Sequence, residues 1–387
     1  MEQPSDLLTA ARDATGLDDF GEDTFLEGLE CLLRSLRTEA RLNASGEYTL
    51  RELIIRLLSN RLSIEDWYRR HPEIADEPVE RPLITIGLPR TGSSALSSLL
   101  AQDPETRYLR LWEASEPCPP PSTVAGPDPR IARAEERLRI QDQRAPKKAA
   151  MLPPATASGP VECQDLMGLD FKSQYFQAFA DVPSYSAWLV DADLTPTYSY
   201  QRRTMKLLQW GSPTRPWRLK CPTHLLFLHH LDQAFPDARF VMTHRDPTEV
   251  VLSVASLYAE IRPMLSDHVD LASLGPLNVG QWSLGMRRAL EFRAGGQDHR
   301  FFDMDFAAVQ RAPLDEVHRL YRWLGEPVSP EFDAGMRRWW HENAESRERL
   351  DRPDPATYGL NLEQVRPLFA DYVAQAAKWT APRRAAD

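Results

Sequence analysis

The stretch RPLITIGLPRTGSSALSSLL, residues 81–100, predicts a strand, a loop and a helix in direct succession. Leu83–Gly87 is short and apolar, as a buried strand would be, and Leu88–Gly92 is a turn interrupted by proline and glycine. Ser93–Leu100 then has the apolar content of an opening helix. The segment therefore predicts the first strand-to-helix unit of an α/β fold.

The glycines Gly87 and Gly92 in this segment have the G-x-x-x-x-G spacing of a P-loop. Ser93 and Ser94 follow, where a nucleoside triphosphatase would have Lys and then Ser or Thr. The loop still offers backbone N–H groups and a helix N-terminus to an anion, and Arg90 supplies positive charge. We interpret it as a site for a nucleotide 5′-phosphate without a metal-chelated γ-phosphate. The alternative is a glycine-containing turn of an ordinary α/β fold.

The composition predicts a cytoplasmic protein that does not bind nucleic acid and has no membrane span. The 387 residues carry a formal net charge of −10, whereas a general nucleic-acid binder needs a basic face. No stretch is long and apolar enough to span a membrane. The N-terminal sequence MEQPSDLLTAARD lacks the layout of a signal peptide. The cysteines have no CxxC spacing and the histidines no metal-ligand spacing, so we expect reduced thiols and no metal.

The chain as a whole predicts a helical extension followed by one larger domain. Residues 1–78 have apolar side chains at helical spacing and are interpreted as an N-terminal helical extension, with a homodimerisation arm as the alternative. Residues 79–387 alternate between strand and helix patterns, which predicts a parallel sheet flanked by helices. The predicted strands are 83–87, 217–220, 238–243 and 299–302.

A loop-rich insertion, about residues 114–210, separates the first two predicted strands. Its prolines at 116–129 exclude regular structure, because proline removes a backbone donor and fixes φ. Such an insertion beside a phosphate site is where a substrate pocket is expected, with a lid of core aromatics as the alternative. The aromatic side chains that it would contribute are Phe171, Tyr175, Phe176, Phe179, Tyr185 and Trp188.

A second strand-to-helix junction lies in ARFVMTHRDPTEVVLS, residues 238–253. Pro247 suits the first position of a helix, and Asp246 suits its N-cap. Arg245 at the strand end and Ser253 eight residues later can converge on one anion at the carboxyl ends of the strands. The alternative is that Arg245 serves packing or a salt bridge.

Together, LPRTGSSAL at 88–96 and THRDPTEVVLS at 243–253 resemble the two nucleotide-binding motifs of sulfotransferases that use 3′-phosphoadenosine-5′-phosphosulfate (PAPS). The resemblance covers roughly residues 80–380 and is to the bacterial branch with a Pro-Arg-Thr-Gly loop, related to tyrosylprotein sulfotransferases. It implies a P-loop nucleotide-kinase-like parallel sheet, a sulfotransferase domain over 79–387, and PAPS as co-substrate. In that family the first motif holds the 5′-phosphosulfate and the second holds the 3′-phosphate. The residues that match this donor site are Arg90, Thr91, Gly92, Ser93, Ser94, Ala95, Arg245 and Ser253.

The resemblance also implies a base that takes the proton of an acceptor hydroxyl. Glu113 in RLWEASEP is the first candidate, since the tyrosylprotein branch has a glutamate just after the corresponding helix; a surface or salt-bridged glutamate is the alternative. Trp112 beside it would desolvate the carboxylate and raise its pKa. Glu162 in GPVECQDL is the second candidate, although a carboxylate favoured by a helix N-terminus explains it equally well. His224 is the third and is interpreted first as a pocket residue.

Two cations are expected to act on the transferring group. Arg90 would stabilise the leaving 5′-phosphate and the sulfonate, because its guanidinium is a permanently charged fork suited to phosphate-like oxygens. Lys220 ends a predicted strand where the nucleotide should lie, and the family has a catalytic lysine in a comparable place. Tyr358, in a loop near the C-terminus, is expected to close over the donor, with Arg352 as a further candidate in that loop.

The implied activity is in-line transfer of the sulfuryl group of PAPS to a hydroxyl of a small organic, lipid or glycosidic acceptor. The aromatic content of the insertion favours an apolar or aromatic acceptor over an anionic polysaccharide. A P-loop small-molecule or nucleoside kinase is the alternative enzyme, and the missing lysine after Gly92 counts against it. A catalytically silent nucleotide-binding protein is the second alternative.

Overall fold

Five parallel strands form the sheet of the computed structural model, which describes residues 2–152, 154–344 and 352–381. The strands are β1 (Leu83–Gly87), β2 (Arg107–Tyr108), β3 (Trp217–Lys220), β4 (Arg239–His244) and β5 (Phe301–Asp305). Their order across the sheet is β2-β3-β1-β4-β5, and every neighbouring pair is parallel. The apolar strand β1 is buried along its whole length at the centre of the sheet.

Helices cover this sheet and form the N-terminal part of the chain. In chain order the α-helices of the described residues are α1 (Pro4–Thr15), α2 (Thr24–Thr38), α3 (Ala44–Arg70), α4 (Ser93–Leu100), α5 (Leu111–Ser115), α6 (Pro129–Arg144), α7 (Pro146–Met151), α8 (Gln164–Met167), α9 (Tyr175–Phe179), α10 (Pro183–Leu189), α11 (Thr195–Gln209), α12 (Leu228–Ala234), α13 (Pro247–Ile261), α14 (Leu274–Phe292), α15 (Phe306–Arg311), α16 (Pro313–Leu324), α17 (Pro330–Ala344), α18 (Leu362–Val365) and α19 (Ala370–Trp379). None of the helices in these ranges is both long and apolar enough to cross a membrane.

The predicted α/β class and parallel sheet are confirmed, with corrections at the sheet edges. β1 and β3 match the predicted bounds, and β4 is displaced by one residue. The strand predicted at 299–302 instead spans Phe301–Asp305, because residues 298–300 form a helical turn after Gly296, whose φ is +98°. The two-residue edge strand β2 was not predicted, since so short a strand carries no alternation.

The N-terminal helices predicted over 1–78 are confirmed as α1 to α3. They share one hydrophobic core with the insertion, in which Phe25 and Leu29 of α2 are buried together with Phe171 and Phe176. The rings of Phe25 and Phe171 lie 6.3 Å apart. The packing between the N-terminal helices and the insertion is continuous. The division into an extension and a main domain stays a prediction.

A buried arginine fixes this packing. Arg61 on α3 is fully buried, and its guanidinium lies between the rings of Phe25 and Tyr200 at 4.3 and 4.1 Å. It pairs with the buried Asp170 at 3.5 Å. It also donates to three backbone carbonyls, those of Phe20, Glu22 and Leu169. The chain from the N-terminus, α3 and the insertion are thus joined at one cation.

Candidate active site

A cavity of about 620 Å³ lies at the carboxyl ends of the neighbouring strands β1 and β4. Its walls come from the loop after β1, from α9 and α13, and from residues 150–152 and 352–353. Open α/β sheets bind their ligands at this edge. The predicted phosphate loop and the predicted second motif therefore face the same cavity.

Gly87 ends β1 in a conformation that suits glycine. Its φ is +127°, and a Cβ atom there would lie 2.5 Å from the carbonyl oxygen of Thr243 on β4. That contact is shorter than side chains tolerate, and the positive φ adds strain for any L residue. The turn into the loop consequently depends on a residue without a side chain.

Replacing Gly87 with Ala should lower the free energy of unfolding by about 1–3 kcal/mol, because the new methyl group must displace β4 or strain the backbone. Gly280→Ala is the matched control, since a Cβ there meets nothing within 4 Å and alanine favours a helix interior by roughly 0.5–1 kcal/mol. Urea unfolding of both variants measures the difference. Equal stability of the two would show that the β1 turn tolerates a side chain.

The loop itself is anchored by Thr91. This side chain is fully buried, donates to the carbonyl of Leu88 at 2.7 Å, and has its hydroxyl 2.6 Å from that of Thr243. Among the predicted donor-site residues, Thr91 therefore holds the loop against β4 instead of lining the cavity. Five of its neighbours do line the cavity: Arg90, Gly92, Ser93, Ser94 and Ala95.

Arg90 joins the two motifs. Its Nε donates to Ser253 Oγ at 3.1 Å, and its Nη2 donates to the carbonyl of Met151 at 2.6 Å. Arg245 Nη1 in turn donates to the carbonyl of Arg90 at 2.8 Å. Burial, and after it the charge of Arg245, lower the pKa of the Arg90 guanidinium. Within the described part of the chain no carboxylate pairs with Arg90, so this partly buried cation is available to an anion.

The positive charge of Arg245 is partly neutralised by a carboxylate. Glu249 lies in the first turn of α13, with Oε2 4.0 Å from Arg245 Nη2, and its Oε1 accepts from Arg352 at 2.5 Å. Burial lowers the pKa of Arg245, and Glu249 opposes this effect. Arg352 and Pro353 therefore bring the C-terminal loop to the mouth of the cavity. Tyr358 in the same loop is buried away from it, at 8% exposure.

A carboxylate and a lysine lie next to the phosphate loop. Glu162 Oε1 accepts from Lys220 Nζ at 2.7 Å, and its Oε2 accepts from Gln164 Nε2 at 2.5 Å. Lys220 also donates to Ser94 Oγ of the loop at 3.2 Å. Glu162 and Gln164 line the cavity. The end of β3, the start of the insertion and the helix after the loop thus meet at one ion pair.

Glu113 lies elsewhere. Its carboxylate is fully buried and accepts from Arg107 Nη2 at 2.9 Å and from Arg110 Nη1 at 3.3 Å. It also accepts from the backbone N–H of Arg110 and so caps the start of α5. Glu113 is absent from the lining of the cavity, and its contacts are those of the salt-bridged alternative.

His224 is likewise not brought to the cavity wall. The ring is fully buried, and Nδ1 lies 2.9 Å from the hydroxyl of Tyr198. Burial lowers its pKa to about 3, so the imidazole is neutral at neutral pH. Its Nε2 has no hydrogen-bond partner among the described residues. Only Pro222 of this turn lines the cavity.

Most of the aromatic side chains that the insertion was expected to contribute to the pocket do not line the cavity. Phe171, Phe176 and Tyr185 are buried in the core shared with the N-terminal helices, and Tyr175 alone of the predicted set lines the cavity. Most of these side chains therefore belong to the core, as in the alternative of core aromatics. The lining residues that sequence reasoning missed include Met151, Gln164, Leu257, Ile261 and Trp282.

No group of three or more possible metal ligands occurs in the ranges that the structure describes. The charged residues that line the cavity are three arginines and two glutamates, and Lys220 lies behind Glu162, with which it pairs. This arrangement can stabilise an anion, and Glu162 beside the phosphate loop is a carboxylate that can accept a proton.

Comparison with known proteins agrees with this geometry. Residues 82–330 match the family model for the sulfotransferase family. The chain is similar to sulfotransferase STF9 from Mycobacterium avium, with 33% identity, a TM-score of 0.89 and 97% of each chain covered. It is also similar to sulfotransferase STF1 from Mycobacterium tuberculosis H37Rv, with 30% identity, a TM-score of 0.79, and 96% of this chain and 99% of that chain covered. No curated protein matches the sequence. A model that matches more than half of the chain, and solved relatives that match nearly all of it, show that the protein belongs to the sulfotransferase family.

Proposed function

We propose that the protein transfers the sulfuryl group of PAPS to a hydroxyl of a small organic, lipid or glycosidic acceptor. Membership of the sulfotransferase family supports sulfuryl transfer. The observation that carries the choice of donor is the meeting of two anion-binding motifs at Arg90. A donor with negative groups at both its 5′ and 3′ positions has one group for each motif.

The residues of the cavity fit such a donor. Arg90 is a partly buried cation without a carboxylate partner in the described residues, and the loop ends at the N-terminus of α4, where N–H groups favour an anion. We assign the 5′-phosphosulfate to this loop. We assign the 3′-phosphate to Arg245 and Ser253, with Arg352 as a further cation from the C-terminal loop.

Glu162 is the carboxylate that we propose as the base. The acceptor oxygen attacks sulfur and forms the new S–O bond, while its proton goes to Glu162. The S–O bond to the 5′-phosphate breaks, and its electron pair stays on adenosine 3′,5′-bisphosphate. Arg90 and Lys220 stabilise the negative charge that develops on the sulfonate and the leaving phosphate. Glu162 takes precedence over Glu113 and His224 because it lines the cavity and they do not.

Calorimetric titration with adenosine 3′,5′-bisphosphate in EDTA tests the donor, with ADP and ATP as controls. The proposal expects tight, metal-independent binding of the bisphosphate and weak binding of ADP and ATP. Failure to bind the bisphosphate, or preference for ATP with Mg²⁺, would reject the proposal in favour of the kinase alternative.

Replacing Arg90 with Ala should lower kcat by about 10²–10³-fold, because a positioned donor to developing charge is removed. The bisphosphate should also bind more weakly. Arg337→Ala is the control, since this exposed arginine pairs with Asp333 on α17 and lies outside the cavity lining. Steady-state kinetics with PAPS and a detectable alcohol acceptor measure both variants. Unchanged kcat in the Arg90 variant would remove the assigned role.

A further inference from the structure

Helix α13 runs along the cavity, and the side chains that it contributes to the lining change from polar to apolar along its length. Its first turns carry Glu249 and Ser253, which belong to the donor motif. Its last turns present Leu257, Tyr258 and Ile261 to the same cavity. A helix rises 1.5 Å per residue, so the eight residues from Ser253 to Ile261 extend about 12 Å beyond the donor motif.

The wall facing this half of α13 is also without charge. Tyr175 and Ala178 come from α9, and Trp282 comes from α14; both helices pack against α13. The indole N–H of Trp282 is already taken by Asn278 at 3.1 Å. These residues offer mostly carbon surface, and the polar groups among them and their neighbours, the hydroxyls of Tyr175 and Tyr258 and the amide of Gln174, carry no charge.

The charged residues of the described lining do not come from α9, from α14 or from the second half of α13. Within the described chain they are Arg90, Glu162, Arg245, Glu249 and Arg352. Each belongs to the donor motifs, to the C-terminal loop that meets them, or to the proposed base. An anionic group on the acceptor would therefore lose its hydration in this part of the cavity and find no cation to pair with. Such a transfer is strongly unfavourable.

We infer that the acceptor is an uncharged alcohol or phenol whose apolar body, about 10 Å long, lies between α13, α9 and α14. This inference rests on the proposed function, because it takes the Glu162 end of the cavity as the place of the reacting hydroxyl. Leu257 is the principal specificity-determining residue. It is only partly buried, and it lies one helical turn beyond Ser253, where the wall changes from polar to apolar.

The experiment measures binding of 4-alkylphenols to the full chain by equilibrium dialysis, with and without saturating adenosine 3′,5′-bisphosphate. Affinity should rise by up to about fourfold for each added methylene from ethyl to hexyl, as the apolar body fills the wall. 4-Propylphenol should bind at least tenfold more tightly than 3-(4-hydroxyphenyl)propanoate, a matched compound that ends in a carboxylate. A flat chain-length series, tighter binding of the carboxylate, or no binding of any alkylphenol would each overturn the inference.

Leu257→Asp should remove most of the gain from chain length, since it places a carboxylate in the apolar half. Leu368→Asp is the control, because it makes the same change at a leucine that is 58% exposed and outside the cavity lining. Ala178→Phe is a second variant, expected to bind ethylphenol and reject hexylphenol by shortening the space. If neither Leu257→Asp nor Ala178→Phe changes the chain-length series, the apolar body lies elsewhere.

The bisphosphate titration is run on every variant and separates the two proposals. If the bisphosphate binds and the alkylphenol series is flat, the acceptor inference fails while the proposed donor stands. If the bisphosphate does not bind, the proposed function fails, and the alkylphenol measurement without nucleotide still decides whether the apolar half takes such a body.

Discussion

Glu162→Gln should lower kcat by about 10²–10⁴-fold, the range expected when a general base is lost. Gln retains an oxygen that can accept from Lys220, which Glu162 contacts at 2.7 Å, so the site keeps its shape while it loses the group that accepts a proton. Affinity for adenosine 3′,5′-bisphosphate should change little, because Glu162 is not assigned to donor binding. Single-turnover transfer from PAPS and calorimetry of the bisphosphate provide the two measurements.

Glu113→Gln is the matched control for this prediction. Its carboxylate is fully buried against Arg107 and Arg110, so the variant should be less stable but should retain kcat per folded molecule. The comparison decides which of the two carboxylates acts as the base. A large loss of kcat in the Glu113 variant, with normal transfer in the Glu162 variant, would reverse the assignment.

Arg61→Met should lower the free energy of unfolding by about 3–5 kcal/mol, the cost typical of removing one partner of a buried ion pair. The fully buried Asp170 would keep only Lys172 nearby as a cation, at 3.6 Å. The carbonyls of Phe20, Glu22 and Leu169 would lose their donor as well. Methionine restores part of the apolar volume, so the loss reports mainly on polar contacts.

Arg51→Met on the same helix is the control for Arg61→Met. Arg51 pairs with Glu2 and Glu52 at the surface, where its side chain is 38% exposed, and such pairs contribute about 0–1 kcal/mol. Urea unfolding of both variants should therefore show a large change only for Arg61. Similar losses in the two variants would mean that the N-terminal helices are not held at this cation.

The local parts of the site could be predicted from the sequence. Strand, glycine loop and helix are contiguous at 83–100, and the second motif is contiguous at 238–253, so their form follows from short-range patterns. Parallel strands place their carboxyl ends at one edge, which brings Arg90 and Ser253 within hydrogen-bonding reach. The sulfotransferase family followed from the same two segments.

The rest of the site depends on how the insertion folds back, which no local pattern records. Glu162 contacts Lys220, which lies 58 residues later in the sequence, and no local sequence pattern near either residue predicts that contact. Glu113 resembled a base by its place after a helix, yet Arg107 and Arg110 near it in the sequence are its partners. The aromatic residues were misplaced because their periodicity is the same whether they face a pocket or the buried side of α2 and α3.

The interlock between Arg245 and Arg90 has a consequence for discrimination among nucleotides. Arg245 supports the backbone of the loop through the carbonyl of Arg90, and Ser253 orients the Arg90 guanidinium. A ligand group that binds the second motif therefore also restrains the loop of the first motif. A ligand with both groups then binds more tightly than the summed binding free energies of its two separate halves would give. Ligands that carry only one of the two negative groups lack this additional binding free energy. On the proposed function, ADP and ATP would then be discriminated against because they lack the cooperativity between the two motifs.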